Sequence, residues 1–349
     1  MKRLIVFLLA IVLACCAFAC GKSPNKDAPP SSEQQTPDAP GTPEPDDTGD
    51  GSGDEETPTP PPPAVNTVQA IANADFSYGF KLLGVNAATD GTSAKSTVKF
   101  GRQTPVWEMA QWYTKYDFNL VSPIVTTEKM SIDDQSKHIE LDRNSGKLTL
   151  ALNATKEYTE SAESRIFWPH LLIQQTFGDD MKSYDLSDFE SLTAQVDFSV
   201  TKANKGAIET KPANETLPAQ FLQYYYVNDF KNDAFLWFGF AFFDTRMEKT
   251  SLSYLQDYAG GNAGNFIYSL GADELMDGEN FELGKEYHIE IDIIPYVAQA
   301  LEQAKQSGFM ENTQLSDCVI TGTNIGWELP GAWDVSATLG NISLQGILK

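Results

Sequence analysis

Cysteine is nearly absent from the body of this 349-residue chain. Three of the four cysteines lie within the first 20 residues, and only Cys318 lies beyond them. Its one available partner is Cys20, so we expect no disulfide, and the apolar residues after Cys318 predict a buried thiol. The sequence contains no HExxH, CxxC or EF-hand pattern, and it therefore predicts neither a metal site nor a cofactor.

Basic residues are also scarce. The chain has 25 Lys and Arg against 48 Asp and Glu, which gives a formal net charge of −23. This charge divides into +2 for residues 1–19, −8 for residues 20–65 and −17 for residues 66–349. This excess of negative charge disfavours binding to nucleic acid and to anionic membrane surfaces. It does not exclude neutral or cationic ligands.

A hydrophobic run long enough to suggest export or membrane insertion occurs once, from Leu4 to Ala19, directly after Lys2 and Arg3. The run is too short and wrongly flanked for a membrane span. It predicts a secretory signal over residues 1–19.

The end of this run, ACCAFACGK, resembles the signal of bacterial lipoproteins, whose processed cysteine becomes lipidated. Cys20 is the predicted lipidated residue, because small Ala19 and Gly21 flank it. Ala17 departs from the pattern, since a leucine is usual there, and an ordinary cleaved signal is the alternative. The resemblance implies a protein of the bacterial cell envelope, on its extracytoplasmic face, that contacts the membrane through the lipid anchor only.

Large apolar residues are missing between Gly21 and Ala64, where Pro, Thr, Ser, Asp and Glu dominate. Such a segment cannot bury enough surface to offset its ordering entropy. We therefore predict a disordered tether over residues 20–65. Residues 66–349 show no second linker and no repeat, and they are predicted to form a single domain.

Alternating apolar and polar residues dominate this domain and predict about eleven strands. These lie at 96–100, 137–142, 147–158, 165–177, 191–201, 219–229, 234–245, 264–271, 285–294, 317–329 and 333–347. One notable helix is predicted near 295–308, with Pro295 in its first turn and Gly308 at its end. This pattern indicates an all-β fold, a two-sheet antiparallel β-sandwich of jelly-roll or concanavalin-like kind.

The segment AFLWFGFAFFDTR, residues 234–246, is apolar at both sets of alternating positions. If the segment is a strand, one of these two sets of side chains packs in the core. The other set contains Trp237 beside Gly239 and Ala241. Because these two residues are small, the sheet surface next to the Trp237 ring would have room for a sugar ring. Tyr224 and Tyr226 in the preceding predicted strand would add phenols. The alternative is that a helix or loop covers this face and Trp237 is ordinary core.

Four further residues are candidates to orient sugar hydroxyls or stack on a sugar. Trp168 and His170 share one alternating face with Gln174, although a histidine in a strand is more often structural. Asp244 and Arg246 follow the aromatic segment and share a face, where they either pair or bind hydroxyls.

Trp327 and Glu328 lie in the segment NIGWELPGAWD, residues 324–334, and both are candidate ligand-binding residues. This segment resembles the catalytic Trp-Glu strand of jelly-roll endoglucanases, in which a glutamate beside aromatic residues serves as the acid. The resemblance implies Glu328 as a candidate catalytic carboxylate, with the second from another strand: Asp244, Glu290 or Asp197. A laminarinase-like reading of residues 287–296 fails, because a proline occupies the final carboxylate position.

Residues 160–349 also resemble secreted bacterial sandwich proteins, mostly uncharacterised, that end in GWExPGxWD and a final strand. This resemblance implies the fold and no activity. We expect a membrane-tethered glycan-binding protein whose partner is a neutral polysaccharide or oligosaccharide. An endo-acting glycoside hydrolase using Glu328, or a surface structural or adhesion protein, are the alternatives.

Overall fold

The described chain forms seventeen β-strands in two sheets, in agreement with the predicted all-β sandwich. The computed structural model describes residues 66–87, 89, 91–158, 167–208, 217–257 and 265–349. These residues all fall within one compact unit. The predicted signal, Cys20 and the predicted tether lie outside the described residues.

The first sheet has eight strands. They are β1 (Thr67–Gln69), β5 (Ile124–Val125), β6 (Lys129–Asp133), β7 (Lys137–Asp142), β8 (Lys147–Asn153), β10 (Phe189–Lys205), β15 (Tyr287–Asp292) and β17 (Trp333–Leu348). Their order is β15-β10-β17-β8-β7-β6-β5, and β1 pairs with β17. All pairs in this sheet are antiparallel.

The second sheet has nine strands. They are β2 (Gly79–Leu83), β3 (Ala94–Lys99), β4 (Trp107–Ala110), β9 (His170–Thr176), β11 (Gln220–Asp229), β12 (Ala234–Asp244), β13 (Ser253–Gln256), β14 (Phe266–Leu270) and β16 (Val319–Glu328). Their order is β13-β14-β12-β11-β16-β9-β4-β2-β3. The pairs β12–β14 and β2–β4 are parallel, and the others are antiparallel.

Alternating side chains of the two sheets meet in one hydrophobic core. In β17, Val335, Ala337 and Leu339 are fully or almost fully buried, as their period of two predicts. Burial of such side chains stabilises the sandwich by roughly 1.5–3 kcal/mol for each large one. The buried Cys318 joins this core, and burial raises the pKa of its thiol to about 12, as expected of a structural cysteine.

The predicted helix is present as α3 (Ile294–Gln306), after the four-residue helices α1 (Asp179–Lys182) and α2 (Ala272–Leu275). Pro295 lies in its first turn, and Gly308 follows its end at a φ of +83°. Its apolar stripe of Val297, Ala300, Leu301 and Ala304 is buried in the core. None of the helices in the described residues is long and apolar enough to cross a membrane.

Candidate functional site

The two faces of β12 make different contacts. One set of side chains points into the core between the sheets and comprises Leu236, Phe238, Phe240 and Phe242. On the opposite, outer face the Trp237 ring meets the rings of Tyr224 and Tyr226 edge-on, at centroid distances of 5.8 and 5.1 Å. Trp237 is 4 % exposed, so these rings form an aromatic cluster in which Trp237 does not present an open face.

The sequence predicted room for a sugar ring beside Trp237. This prediction is wrong, because tyrosine side chains fill the space. A Cβ atom at Gly239 would lie 2.4 Å from Cδ1 of Tyr224, because the tyrosine ring covers the glycine. Gly322 in β16 is covered in the same way, with the Tyr226 ring 2.9 Å from a Cβ placed there. The two glycines thus make room for tyrosines, and a sugar ring would have to displace them.

Four predicted or neighbouring residues form a row across the outer face of the second sheet. Cross-strand pairing places His170 of β9 opposite Glu328 of β16, Glu328 opposite Gln220 of β11, and Gln220 opposite Asp244 of β12. We call these four residues the polar row. The sheet register therefore brings together three residues that are far apart in the sequence and were predicted separately.

Glu328 is held at the centre of the polar row and is 2 % exposed. Its Oε2 accepts a hydrogen bond of 3.2 Å from the indole N–H of Trp168, and Nε2 of His170 lies 3.6 Å from the same oxygen. Nδ1 of His170 lies 2.7 Å from the carbonyl oxygen of Trp168, so this nitrogen is the donor. The Trp168 and His170 rings stack with their centroids 5.9 Å apart. Trp168, His170 and Glu328 thus form one connected group.

Asp244 and Arg246 pair with each other at the far end of the polar row. Nε of Arg246 lies 2.9 Å from Oδ1 and 3.2 Å from Oδ2 of Asp244. Nε2 of Gln220 donates to Oδ2 of Asp244 at 2.9 Å. The Asp244 side chain is 4 % exposed and that of Arg246 is 19 % exposed. Charge-assisted bonds of this kind hold the carboxylate in one position.

A second row lies four residues further along the strands, about 14 Å away at the rise of a β-strand. It comprises Glu108, Gln174, Asn324 and Tyr224, and we call it the amide row. Between the two rows lies a row of small or aliphatic side chains, formed by Ala110, Leu172, Gly326, Leu222 and Ala241. The outer face thus has an apolar strip bordered by polar groups on both sides.

Four buried polar atoms on this face have no hydrogen-bond partner among the residues that the structure describes, and one of them is the hydroxyl oxygen of Tyr226. The other three are Oε1 of Gln220, Oε1 of Gln174 and Nε1 of Trp237. All three side chains are at least nine-tenths buried. Such an atom costs about 1–3 kcal/mol when it is left unpaired, so these three are positions on the face where a bound water or a ligand would stabilise the protein.

Trp327 is a correction to the predicted site. Neighbours in a strand point to opposite faces, and with Glu328 on the outer face Trp327 points into the core. It is fully buried, and its indole N–H donates to the carbonyl oxygen of Leu150 at 3.0 Å. Its ring packs against Phe221 at a centroid distance of 4.9 Å. The prediction that Trp327 contacts a ligand is therefore wrong.

Only one of the three acids considered as a partner for Glu328 lies in the same sheet. Asp244 is in the polar row, whereas Asp197 and Glu290 lie in β10 and β15 of the first sheet. Across the described part of the chain, no cluster of three or more His, Cys, Asp or Glu side chains could hold a metal ion.

The end of the face nearest β4 was not predicted from the sequence. Trp112 and Tyr113 contact His170 there, at ring-centroid distances of 5.9 and 6.0 Å, and the ring of Phe167 contacts that of Tyr113. Glu108 in β4 accepts a hydrogen bond of 3.0 Å from Nε2 of Gln174. The aromatic density of WEMAQWYTKYDF, residues 107–118, was the available signal, but the segment has no clear alternation.

Comparison with known proteins gives structural likenesses only. No protein-family model and no curated protein matches the chain. A native family 12 xyloglucanase from Bacillus licheniformis has a TM-score of 0.40 and 13% identity, over 68% of this chain and 99% of that one. The endoglucanase cel12A from Rhodothermus marinus has a TM-score of 0.37 and 8% identity, over 66% and 97%. The xyloglucanase domain of NopAA from Sinorhizobium fredii has a TM-score of 0.33 and 9% identity, over 65% and 96%. At such TM-scores and identities the likeness does not establish a shared activity.

Proposed function

We propose that this protein binds a neutral polysaccharide or oligosaccharide on the outer face of its second sheet. The observation that carries the proposal is the set of three buried, unpartnered polar atoms, on Gln174, Gln220 and Trp237, on a single sheet face. Two are acceptors and one is a donor. Sugar hydroxyls both donate and accept, so one kind of ligand can satisfy all three.

The arrangement of the rows also suits a glycan. A pyranose ring has apolar C–H surfaces and a rim of hydroxyl groups. Leu83, Ala87 and Trp112 pack with Ala110 and Leu172 at one end of the central strip. Ala241, at the other end, is half-buried and would lie under part of the apolar surface, while the polar row and the amide row reach the hydroxyls on either side. Burial raises the pKa of the Tyr226 phenol, so this group stays protonated at neutral pH.

The charges on the face favour a neutral ligand over an acidic one. Lys81 lies 3.5 Å from Oε1 of Glu108, and Arg246 is paired with Asp244. Glu328 contacts no lysine or arginine in the described residues and leaves an excess of negative charge. A polysaccharide of uronic acids would place its carboxylates against this charge at a cost in free energy.

The proposal includes the membrane tether. We propose that Cys20 carries a lipid and that residues 20–65 hold the sandwich away from the membrane, on the extracytoplasmic face of a bacterial envelope. The support is the sequence pattern of the first 65 residues alone. Mass spectrometry of the protein released from membranes tests it: a lipidated N-terminal Cys20 supports the anchor, and an unmodified N-terminus contradicts it.

Binding is tested with residues 66–349 and a panel of soluble polysaccharides. The neutral members are xyloglucan, hydroxyethylcellulose, mixed-linkage β-glucan and galactomannan, and polygalacturonate is the acidic one. We expect a neutral member to bind in isothermal titration calorimetry and Gln220→Ala to weaken that binding while the protein stays folded. Failure of every neutral member to bind, with the protein folded, would falsify the proposal and favour a structural or adhesion role.

Hydrolysis is the second candidate function, and one observation favours it. Glu328 and Asp244 lie in the same row two strands apart, which places their Cα atoms about 10 Å from each other. Inverting glycosidases hold their two carboxyl groups about 6.5–9.5 Å apart. New reducing ends in the same polysaccharide samples, abolished in Glu328→Gln, would establish hydrolysis. Binding without new ends would leave the protein a binder.

A further inference from the structure

The apolar strip on the outer face of the second sheet is closed at one end. Three apolar side chains pack there on Ala110 and Leu172, and we call them the wall: Leu83, Ala87 and Trp112. Ala110 and Leu172 are only 0 % and 3 % exposed. A sugar ring therefore cannot extend along the strip beyond β9 toward β4.

Hydrogen bonds hold the wall in place. The indole N–H of Trp112 donates to the carbonyl oxygen of Gly91 at 2.8 Å, and a Cβ atom at Gly91 would lie 2.6 Å from that nitrogen. Nε2 of the buried Gln111 donates to the carbonyl oxygen of Leu83 at 2.9 Å. The N–H of His170 donates to the carbonyl oxygen of Trp112 at 2.9 Å and ties the wall to the polar row. These bonds make the wall a fixed part of this face.

The exposed fraction of the side chains rises toward the opposite end of the face, at β12. In the polar row, His170 is 2 % exposed, whereas the side chain of Arg246, which pairs with Asp244 at the far end, is 19 % exposed. In the apolar strip, Leu172 is buried and Ala241 of β12 is half-buried. A ligand therefore reaches both the row and the strip from the β12 end.

The unpartnered polar atoms of this face lie on the open side of the wall. Gln174 belongs to β9, Gln220 and Tyr226 to β11, and Trp237 to β12. Among the described residues, no such atom lies in β2, β3 or β4. The four strands from β9 to β12 span about 14 Å at the usual spacing between strands. The groups that would bind hydroxyls therefore end where the wall begins.

We propose that this face binds the end of a glycan chain: the chain crosses the face from β12, and its terminal sugar stops against the wall beside His170. A groove that is open at both ends accepts the interior of a long chain, whereas a groove that is closed at one end accepts only a terminus. This inference rests on the proposed function and narrows the ligand to the free chain ends of a neutral oligosaccharide or polysaccharide.

Counting chain ends tests the proposal on the wild-type protein. A neutral polysaccharide that binds is shortened by partial acid hydrolysis, so that the same mass carries more chain ends. The protein is titrated by calorimetry with equal masses of the long and the shortened chains. We expect the protein bound per unit mass to rise in proportion to the number of chain ends. An amount that does not rise would refute the proposal, because binding to the chain interior depends on the mass alone.

A bulky residue at the open end tests the direction of entry. Ala241→Phe would fill the place where the chain enters. Ala151→Phe is the matched control, because Ala151 is a half-buried alanine on the outer face of the first sheet, between the core residues Leu150 and Leu152. We expect Ala241→Phe to lose about tenfold or more in affinity and Ala151→Phe to keep the wild-type value. Equal affinities of the two variants would contradict entry from β12.

Removing the wall tests what limits the site to chain ends. Trp112→Ala opens the strip toward β4, and Trp333→Ala is the control, because the indole N–H of Trp333 also donates to a backbone carbonyl oxygen, that of Leu217, at 2.9 Å. We expect folded Trp112→Ala to bind long chains along their length, so that its dependence on chain ends is lost, and Trp333→Ala to keep that dependence. A folded Trp112→Ala protein that still depends on chain ends would contradict the role of the wall.

The outcomes separate this inference from the proposed function. If the wild type binds a neutral polysaccharide, Gln220→Ala weakens that binding and the shortened chains bind no more protein per unit mass, the chain-end inference is refuted and the proposed function stands. If no neutral polysaccharide binds the folded wild type, both are refuted.

Discussion

The outer faces of the two sheets differ in how exposed their polar side chains are. On the first sheet, His288 pairs with Asp197 at 2.6 Å and Lys202 pairs with Asp334 at 2.7 Å, with the histidine and lysine side chains 58 % and 41 % exposed. On the second sheet, the corresponding face carries buried aromatic rings, amides and carboxylates. A soluble protein requires only a face with exposed charged residues, as on the first sheet.

The two faces also differ in what their polar groups contribute to stability. Exposed ion pairs contribute about 0–1 kcal/mol each and tolerate substitution. Buried amides with unpartnered oxygens, such as Gln174 and Gln220, destabilise the folded protein unless another molecule pairs with them. Among the described residues, the outer face of the second sheet therefore carries this cost in stability and that of the first sheet does not.

The largest expected difference between the two faces concerns their carboxylates. Asp244→Ala leaves Arg246 and Nε2 of Gln220 without the carboxylate that they bind, and we expect a loss of about 2–3 kcal/mol in unfolding free energy. Asp334→Ala on the first sheet breaks a half-exposed pair and should cost less than about 1 kcal/mol. Urea unfolding followed by tryptophan fluorescence measures both. Equal losses would remove the distinction between the two faces.

The next largest difference concerns two glycines. Gly239→Ala would push a methyl group into the Tyr224 ring, 2.4 Å away, and should destabilise the protein by about 1–3 kcal/mol. Gly340→Ala in β17 is the control, because its nearest neighbour, Cγ of Lys147, would lie 3.5 Å from the new atom. The same unfolding measurement applies. A neutral Gly239→Ala would mean that the tyrosine does not occupy the space above the glycine.

A smaller difference is expected in ligand affinity. Glu328→Gln removes the charge that strengthens hydrogen bonds from sugar hydroxyls and should weaken binding about fivefold, or about 1 kcal/mol. Glu290→Gln changes a carboxylate on the outer face of the first sheet and should leave affinity unchanged. Calorimetric titration with the neutral polysaccharide compares them. An equal effect of both variants would point to overall charge as the cause.

The smallest effect is a pH dependence on the first sheet. The hydrogen bond with Asp197, helped by Glu290, raises the pKa of His288 above its ordinary value of 6.5. The stabilisation is therefore fully present below pH 6.5, the unfolded value, and is lost as the pH rises through the folded pKa. Unfolding free energy should fall slightly between about pH 6 and about pH 8, and His288→Gln should flatten this slope. A slope that persists unchanged in His288→Gln would assign it to other groups.

The sequence predicted the long strands well, because their alternation is strong. The pattern at 234–245 predicted β12 nearly in full, and it placed Phe238, Phe240 and Phe242 in the core; the pattern at 191–201 predicted the middle of β10, which extends further at both ends. Short strands such as β5 and β2 were missed, since two to five residues carry too little periodicity to distinguish them from loops.

The candidate site was only partly predictable. His170, Asp244 and Glu328 were each named as candidates from the sequence, but their alignment in one row depends on the register of four strands, which no local pattern encodes. Trp327 was misplaced because a two-residue motif does not say which neighbour faces outward.

Hydrogen–deuterium exchange with and without a bound neutral polysaccharide tests the central claim most directly, because it reports which face the ligand covers. We predict slower exchange in β9, β11 and β16 and in the residues around Tyr113, with β10, β15 and β17 unchanged. Protection confined to the strands of the first sheet would contradict the assignment of the site to the outer face of the second sheet.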